Sequence, residues 1–301
     1  MIDGIINVYK ERGYTSFDVV AKLRGILKQK KIGHTGTLDP MAEGVLIVCL
    51  GKATKLVDIL ITSSKEYLAD MQLGITTDTE DITGEILSKS DIWNNLSDKD
   101  IIDAVESFVG SYEQLPPMYS AIKKNGKKLY EYAREGTEIE RNKRPVEIIS
   151  IKDISVEKPY VHFMVKCSKG TYIRSLCRDI GEKLGCGAVM SGLLRNELHG
   201  MKADGSYKLS DIERLRDDDR LSECIIPMDA ILKDYRRLNI RKTASKLLTN
   251  GNKLLVKSFV ESDALKACDG DIFRIYEDNR LMALYRYMED EDILKPYKML
   301  L

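Results

Sequence analysis

Apolar and polar positions recur along this 301-residue chain in runs that predict its elements one after another. Ile5 to Tyr9 reads as a first strand ending in a turn from Lys10 to Gly13. Thr15-Ser16-Phe17-Asp18 then has the spacing of a helix N-cap, and Val19, Val20, Leu23, Ile26 and Leu27 fall on one helical face. The continuous run Val45-Leu46-Ile47-Val48-Cys49-Leu50 has the length of a buried strand. Strands are expected around Glu66 to Leu73 and Val146 to Ile154, with an amphipathic helix from Leu96 to Phe108 between them. Val161 to Cys167 alternates as a half-buried strand should. Ser168 to Thr171 turns the chain into a helix whose apolar face is Ile173, Leu176, Cys177, Ile180 and Leu184.

Two segments break this pattern. Gln114 to Arg144 has two prolines, a basic run and several tyrosines but few aliphatic residues. It has too little apolar surface for a core of its own, and reads as an excursion from the main sheet that orders on meeting a partner. Past an acidic stretch, Asp211 to Asp219, the chain from Arg236 to Leu301 holds one short helix and strand-like runs such as Ile272 to Tyr276 and Leu281 to Tyr287. A domain boundary is therefore expected near Tyr235.

Charge adds one refinement. Lysine plus arginine equals aspartate plus glutamate, 47 each, so net charge says nothing about a polyanionic partner. Its distribution does: Lys22, Arg24, Lys28, Lys30 and Lys31 form one basic run, and Lys123, Lys124, Lys127, Lys128, Arg134, Arg141, Lys143 and Arg144 form another. The six cysteines, Cys49, Cys167, Cys177, Cys186, Cys224 and Cys268, include no CxxC pair, and the three histidines are far apart, so no zinc motif is present. No secretory pattern opens the sequence and no apolar run approaches the roughly 20 residues of a membrane span. These features read as a reduced, soluble, cytoplasmic protein with no membrane association.

The candidate chemistry lies in Lys31-Ile32-Gly33-His34-Thr35-Gly36-Thr37-Leu38-Asp39-Pro40. Pro40 pushes Asp39 out of the helical region, and the following apolar strand is a firm mount for a loop carboxylate. Taken alone, an Asp-Pro pair is usually just a turn. Gly51-Lys52-Ala53 lacks the earlier glycine and the Ser/Thr that a phosphate-binding loop requires, so that reading is rejected.

The stretch Gly33 to Pro40, continuing through Gly44 to Gly51-Lys52-Ala53-Thr54-Lys55, resembles the TruB family of tRNA pseudouridine synthases. The resemblance spans essentially the whole chain. It includes Lys65-Glu66-Tyr67, Pro117-Met118-Tyr119-Ser120-Ala121, Gly126-Lys127-Lys128-Leu129-Tyr130, Arg144-Pro145, Ser168 to Arg174, and Leu194-Arg195. One departure is Glu11, where the family usually has proline.

The resemblance implies an α+β fold: a mixed, largely antiparallel sheet over residues 1–234, with an RNA-clamping insertion at about 114–145. A small β-rich domain of PUA type, for RNA binding, is implied over 235–301. It implies isomerisation of uridine to pseudouridine at position 55 in the T loop of tRNA, by base flipping and without a cofactor. Asp39 matches the family's catalytic aspartate, Arg174 an arginine that pairs with it, and Tyr67 a tyrosine that stacks on the base. Tyr172 and Leu194 would line the same pocket, His34 would hold the flipped nucleotide, and Lys10 would contact backbone phosphate. Expected partners are the tRNA T stem-loop, with no guide RNA and no obligatory protein. Two rival readings stay open: an RNA-binding protein that helps tRNA fold, and a guide-dependent synthase of the dyskerin type.

Overall fold

The computed structural model describes residues 1–61, 64–261 and 265–301. The first part runs β1 (Gly4–Lys10), α1 (Ser16–Leu27), β2 (Ile32–His34), β3 (Glu43–Leu50), α2 (Val57–Ile61), β4 (Lys65–Leu73), β5 (Ile75–Thr77) and β6 (Ile86–Lys89). Next come α3 (Asp98–Glu106) and β7 (Gly110–Gln114), then an insertion with the small hairpin β8 (Lys123–Lys124) and β9 (Lys127–Lys128) and the helix α4 (Leu129–Arg134). β10 (Arg144–Glu157), β11 (Tyr160–Cys167), α5 (Ile173–Lys183), β12 (Ala188–Leu198), β13 (Met201–Lys202) and α6 (Leu209–Asp217) complete this part. After α7 (Met228–Ile231), the C-terminal part contains β14 (Arg236–Asn239), α8 (Ser245–Thr249), β15 (Leu254–Leu255), β16 (Ile272–Glu277), β17 (Arg280–Met288) and β18 (Ile293–Met299).

The larger sheet follows the order β1-β3-β12-β4-β11-β10-β7, with β2 added on β3 and β13 on β12. Its pairs are antiparallel except β12 with β3, so it is mixed and largely antiparallel. The C-terminal strands form a second sheet, β14-β16-β17-β18-β15.

Burial explains why these segments form these elements. Leu46, Val48 and Leu50 face α1 and α6, while Val45, Ile47 and Cys49 pack toward the C-terminal sheet with Leu284 and Leu300. β3 is thus apolar at every position because both of its faces are covered. On β11 the alternation is clean: Val161, Phe163, Val165 and Cys167 join the core under α3 and α5 with Ile173, Leu176, Cys177 and Ile180. Helix α1 starts at a capping box in which the Thr15 hydroxyl accepts from the Asp18 amide at 3.0 Å and the Asp18 carboxylate accepts from the Thr15 amide at 2.9 Å. The helix expected over Leu96 to Phe108 is shorter, Asp98–Glu106, because Ser97 caps it with Asp100 and turns begin at Ser107.

Candidate active site

Asp39 lies in the loop between β2 and β3, and the loop is tied on both sides of it. Ser16, the first residue of α1, grips the Leu38 backbone twice: the Leu38 amide donates to its hydroxyl at 2.9 Å, and the hydroxyl donates to the Leu38 carbonyl at 3.2 Å. Downstream, the Gly13 amide donates to the Pro40 carbonyl at 2.8 Å. Lys10 Nζ donates to three carbonyls, Ala42 at 2.5 Å, Glu11 at 3.2 Å and Pro40 at 3.4 Å. The carboxylate therefore projects from a loop fixed by long-range hydrogen bonds, which is the condition for a precise chemical group.

Arg174 meets it from the first turn of α5. Its Nε lies 3.0 Å from Asp39 Oδ2, its Nη1 donates to the Thr79 carbonyl at 3.1 Å, and its Nη2 donates to the Tyr119 carbonyl at 2.9 Å. Asp81 Oδ2 stands 3.7 Å from Nη1. The arginine side chain is 6% exposed and the aspartate 37%, so the pair has one enclosed end and one open to a ligand. Burial pushes the Asp39 carboxyl above its ordinary pKa and Asp81 adds to this, while Arg174 and Lys10 pull the other way.

Tyr67 is buried on β4, directly opposite Arg195 of β12 in the strand register. Arg195 is 1% exposed. It donates from Nε to the Val45 carbonyl at 2.7 Å and from Nη2 to the Gly36 carbonyl at 3.3 Å. Among the described residues no carboxylate lies within ion-pair distance of it. Burial raises the Tyr67 pKa, and the Arg195 cation opposes that. Gly44 makes the geometry feasible: it has φ +100°, and a Cβ there would sit 2.4 Å from the Arg195 carbonyl oxygen. Only a bare backbone lets β3 and β12 approach closely enough to bring Arg195 under the Asp39 loop.

The remaining candidates divide. Tyr172 is the N-cap of α5, and the buried Gln114 side chain clamps its backbone, accepting from its amide at 2.9 Å and donating to its carbonyl at 3.0 Å. His34 lies on β2 opposite Val48, with Nδ1 buried and lacking a hydrogen-bond partner. Burial and Arg195 push its pKa down, so the imidazole is neutral near pH 7. Two expectations are corrected. Lys10 is 0% exposed and caged by carbonyls, so it braces the Asp39 loop and has no free face for a phosphate. Burial lowers its pKa to about 8, although Asp39 and Glu43 oppose the shift. Leu194 points away from Tyr67: it stands opposite Leu68, whereas Leu193 pairs with Ala69 and packs on the core that contains Tyr67.

Sequence reasoning assigned no role to Arg195, Asp81 or Thr79. For Asp81 and Thr79 the available signal was Asp78-Thr79-Glu80-Asp81-Ile82-Thr83-Gly84, dense in Asp and Thr side chains that bond their own backbone in turns. In it Asp81 Oδ1 accepts from the Thr79 hydroxyl at 2.9 Å, the Thr83 amide at 2.9 Å and the Thr83 hydroxyl at 2.5 Å, an Asx-type turn that presents the Thr79 carbonyl to Arg174.

The Lys10 correction is testable. Lys10→Met is expected to lower kcat/KM about 10- to 100-fold by loosening the loop. A phosphate contact would instead reduce the salt dependence of RNA binding by about one unit of slope, and the buried brace leaves that slope unchanged. Filter binding across a salt series separates the two.

Comparison with known proteins agrees with the fold and extends it. Residues 24–173 match the model of the TruB family pseudouridylate synthase N-terminal domain, and residues 174–233 match the tRNA pseudouridylate synthase B C-terminal domain. A protein described as tRNA pseudouridine synthase B from Clostridium tetani is 45% identical over 283 residues, covering 94% of this chain and 95% of that one. Its counterpart from Lachnoclostridium phytofermentans is 46% identical over 309 residues and covers 100% of both. Among solved structures, a chain of a Cbf5-Nop10-Gar1 complex superposes with a TM-score of 0.74 at 29% identity, covering 99% of this chain and 85% of that one. Identity at this level, sustained from one end of the chain to the other and joined to the same mixed sheet, makes the protein a member of the TruB family of pseudouridylate synthases.

Proposed function

We propose that this chain isomerises uridine to pseudouridine in tRNA, at position 55 of the T loop. The observation that carries the chemistry is the Asp39–Arg174 pair at 3.0 Å, half open, beside the buried Tyr67. The reaction breaks the C1′–N1 bond and forms C1′–C5; a proton leaves C5 and N1 gains one. It is redox-neutral and balances with acid–base and nucleophilic groups alone. Asp39 offsets positive character at C1′ or attacks there, and Arg174 holds it ionised and aimed. Tyr67 supplies the aromatic face that replaces part of the stacking a flipped base loses, about 1–3 kcal/mol per base. Tyr172 flanks the same space. His34, neutral and with an unsatisfied nitrogen, is a contact for the extruded nucleotide rather than a proton carrier.

The insertion supplies the electrostatic grip. Lys123 and Lys124 form a β-hairpin with Lys127 and Lys128. Lys127 pairs with Glu135 and the Lys124 ammonium donates to the Glu140 carbonyl, so Lys123 and Lys124 carry charge not matched by an acid among the described residues and are proposed to meet phosphates. Replacing Lys123 and Lys124 together with alanine is expected to weaken tRNA binding and to lower the slope of log affinity against log salt by about 2. An unchanged slope contradicts the clamp. Residues 235–301, which hold the C-terminal sheet, are proposed as a PUA-type RNA-binding domain and residues 1–234 as the catalytic domain.

The chain is proposed to act alone. Two of the similar solved structures are a Cbf5-Nop10-Gar1 complex and an H/ACA RNP bound to a substrate RNA. The relatives at 45% identity, however, are described as tRNA pseudouridine synthase B. Among the described residues no helix is long and apolar enough to cross a membrane. The test is to incubate purified chain with an unmodified tRNA transcript, derivatise pseudouridine with carbodiimide and read reverse-transcription stops. A single stop at position 55 supports the proposal. Modification elsewhere, or only after another RNA is added, overturns it.

A further inference from the structure

Three arginines converge on the base of the insertion, and a buried carboxylate stands at their centre. Arg174 Nη2 donates to the Tyr119 carbonyl at 2.9 Å, Arg178 Nη2 to Leu115 at 3.0 Å, and Arg141 Nη1 to Pro116 at 3.0 Å. Arg174 and Arg178 lie on α5 and hold the start of the insertion, whereas Arg141 comes from its far end, bonds that start at Pro116 and approaches Glu80. Glu80 is 8% exposed. Its Oε1 accepts from Arg178 Nη1 and lies 3.9 Å from Arg141 Nη1, and its Oε2 accepts from the Ser175 hydroxyl at 2.6 Å. Ser175 is fully buried and adjoins Arg174 in the helix.

Two further observations show how much depends on this cluster. Apolar packing of the insertion against the body is sparse: Pro116, Pro117 and Leu129 are the buried apolar side chains among residues 115–143, and a cleft of about 810 Å³ opens between Tyr119, Ala133 and Arg141 on one side and Thr76, Phe108 and Arg178 on the other. Polar ties at the base must therefore set its posture. Glu80 also has φ +64°, a left-handed backbone that a glutamate adopts only at a cost, and the surrounding contacts keep it there.

We propose that Glu80 is a positioning residue: it fixes the insertion against α5 and, through Ser175 and the Tyr119 carbonyl, fixes the guanidinium of Arg174 that pairs with Asp39. An RNA stem held by the insertion then bears directly on the reactive carboxylate, so clamping and chemistry are one linked event. The kinetic part rests on the pseudouridine synthase reading; the structural part does not.

The test compares the full native chain with Glu80→Gln, which keeps shape and the Ser175 hydrogen bond but removes the charge. Without RNA, and at the same interval below each chain's thermal midpoint, tryptic cleavage between Lys123 and Lys128 is expected to accelerate about 10-fold. With tRNA, kcat is expected to fall about 10- to 100-fold, more than KM rises, because Arg174 is misplaced. Arg178→Met reproduces both effects, and the double variant adds little beyond either single one. Arg178→Met alone decides the matter if Glu80→Gln does not fold. Native cleavage and native kcat in a folded variant overturn the proposal. So does accelerated cleavage that merely follows a lowered global midpoint, or full additivity of the two changes. A native chain inactive on tRNA overturns the synthase reading instead, and the cleavage comparison still tests Glu80.

Discussion

Replacing Asp39 with asparagine is expected to abolish turnover, by at least about 10³-fold, while leaving a folded protein that still binds tRNA. An amide of the same shape neither attacks an electrophilic carbon nor offsets positive charge there, and loss of an essential nucleophile is not made up by its neighbours. Stability moves little, and the sign follows from the pKa. Burial holds the Asp39 carboxyl above its ordinary value of 3.8, so the folded chain binds more protons than the unfolded one between that value and the folded pKa. The group's contribution to stability therefore falls as pH rises through that window, and at neutral pH the ionised carboxylate is a cost. Asparagine removes the cost but deprives Arg174 of one partner, which retains Thr79, Tyr119 and Asp81. A thermal midpoint within about 3 °C of native is the expected result. Calorimetry beside a turnover assay checks both halves, and retained turnover sinks the assignment.

Arg174→Met is expected to be nearly as damaging and to leave a different signature. Removing one preorganised cation at a reacting centre costs about 10²- to 10³-fold in kcat. Stability also drops, though by less than the about 3–5 kcal/mol of breaking a fully buried pair, because Asp39 keeps an exposed edge. The pH profile distinguishes this from simple misfolding. Arg174 is the largest influence holding the Asp39 pKa down, and Asp81 beside it pushes up. Without the cation the folded pKa rises further, so the acid limb of kcat/KM moves to higher pH than in the native chain. Stability lost at high pH is partly recovered as pH falls and protonation discharges the unpaired acid. An acid limb that stays in place contradicts the role given to the pair.

Much of this architecture was legible before any coordinate. β11 and α5 were readable because their buried positions are separated by two residues in one case and by three or four in the other, and both faces meet the same core. The Thr15–Asp18 cap was readable because its partners are three residues apart. What escaped the sequence is nonlocal. Lys10 looks like an ordinary exposed lysine at a strand end, yet the carbonyls of Pro40 and Ala42, thirty residues away, enclose it. Arg195 and Glu80 are hidden for the same reason: their partners are backbone carbonyls, or side chains as much as 98 positions distant. The expectation that Leu194 lines the pocket failed on a smaller point. A register shift between Met190 and Gly192 resets which face of β12 each residue takes, and no local pattern announces it.

The central claim, that this chain alone moves the glycosidic bond of a tRNA uridine from N1 to C5, is tested most directly by tritium release. Forming the C1′–C5 bond must expel the hydrogen at C5, so a transcript labelled there reports the chemistry itself. The purified chain, with no other RNA or protein added, is expected to release one equivalent of tritium per tRNA. Tight binding without release would contradict the claim and leave an RNA-binding protein in its place.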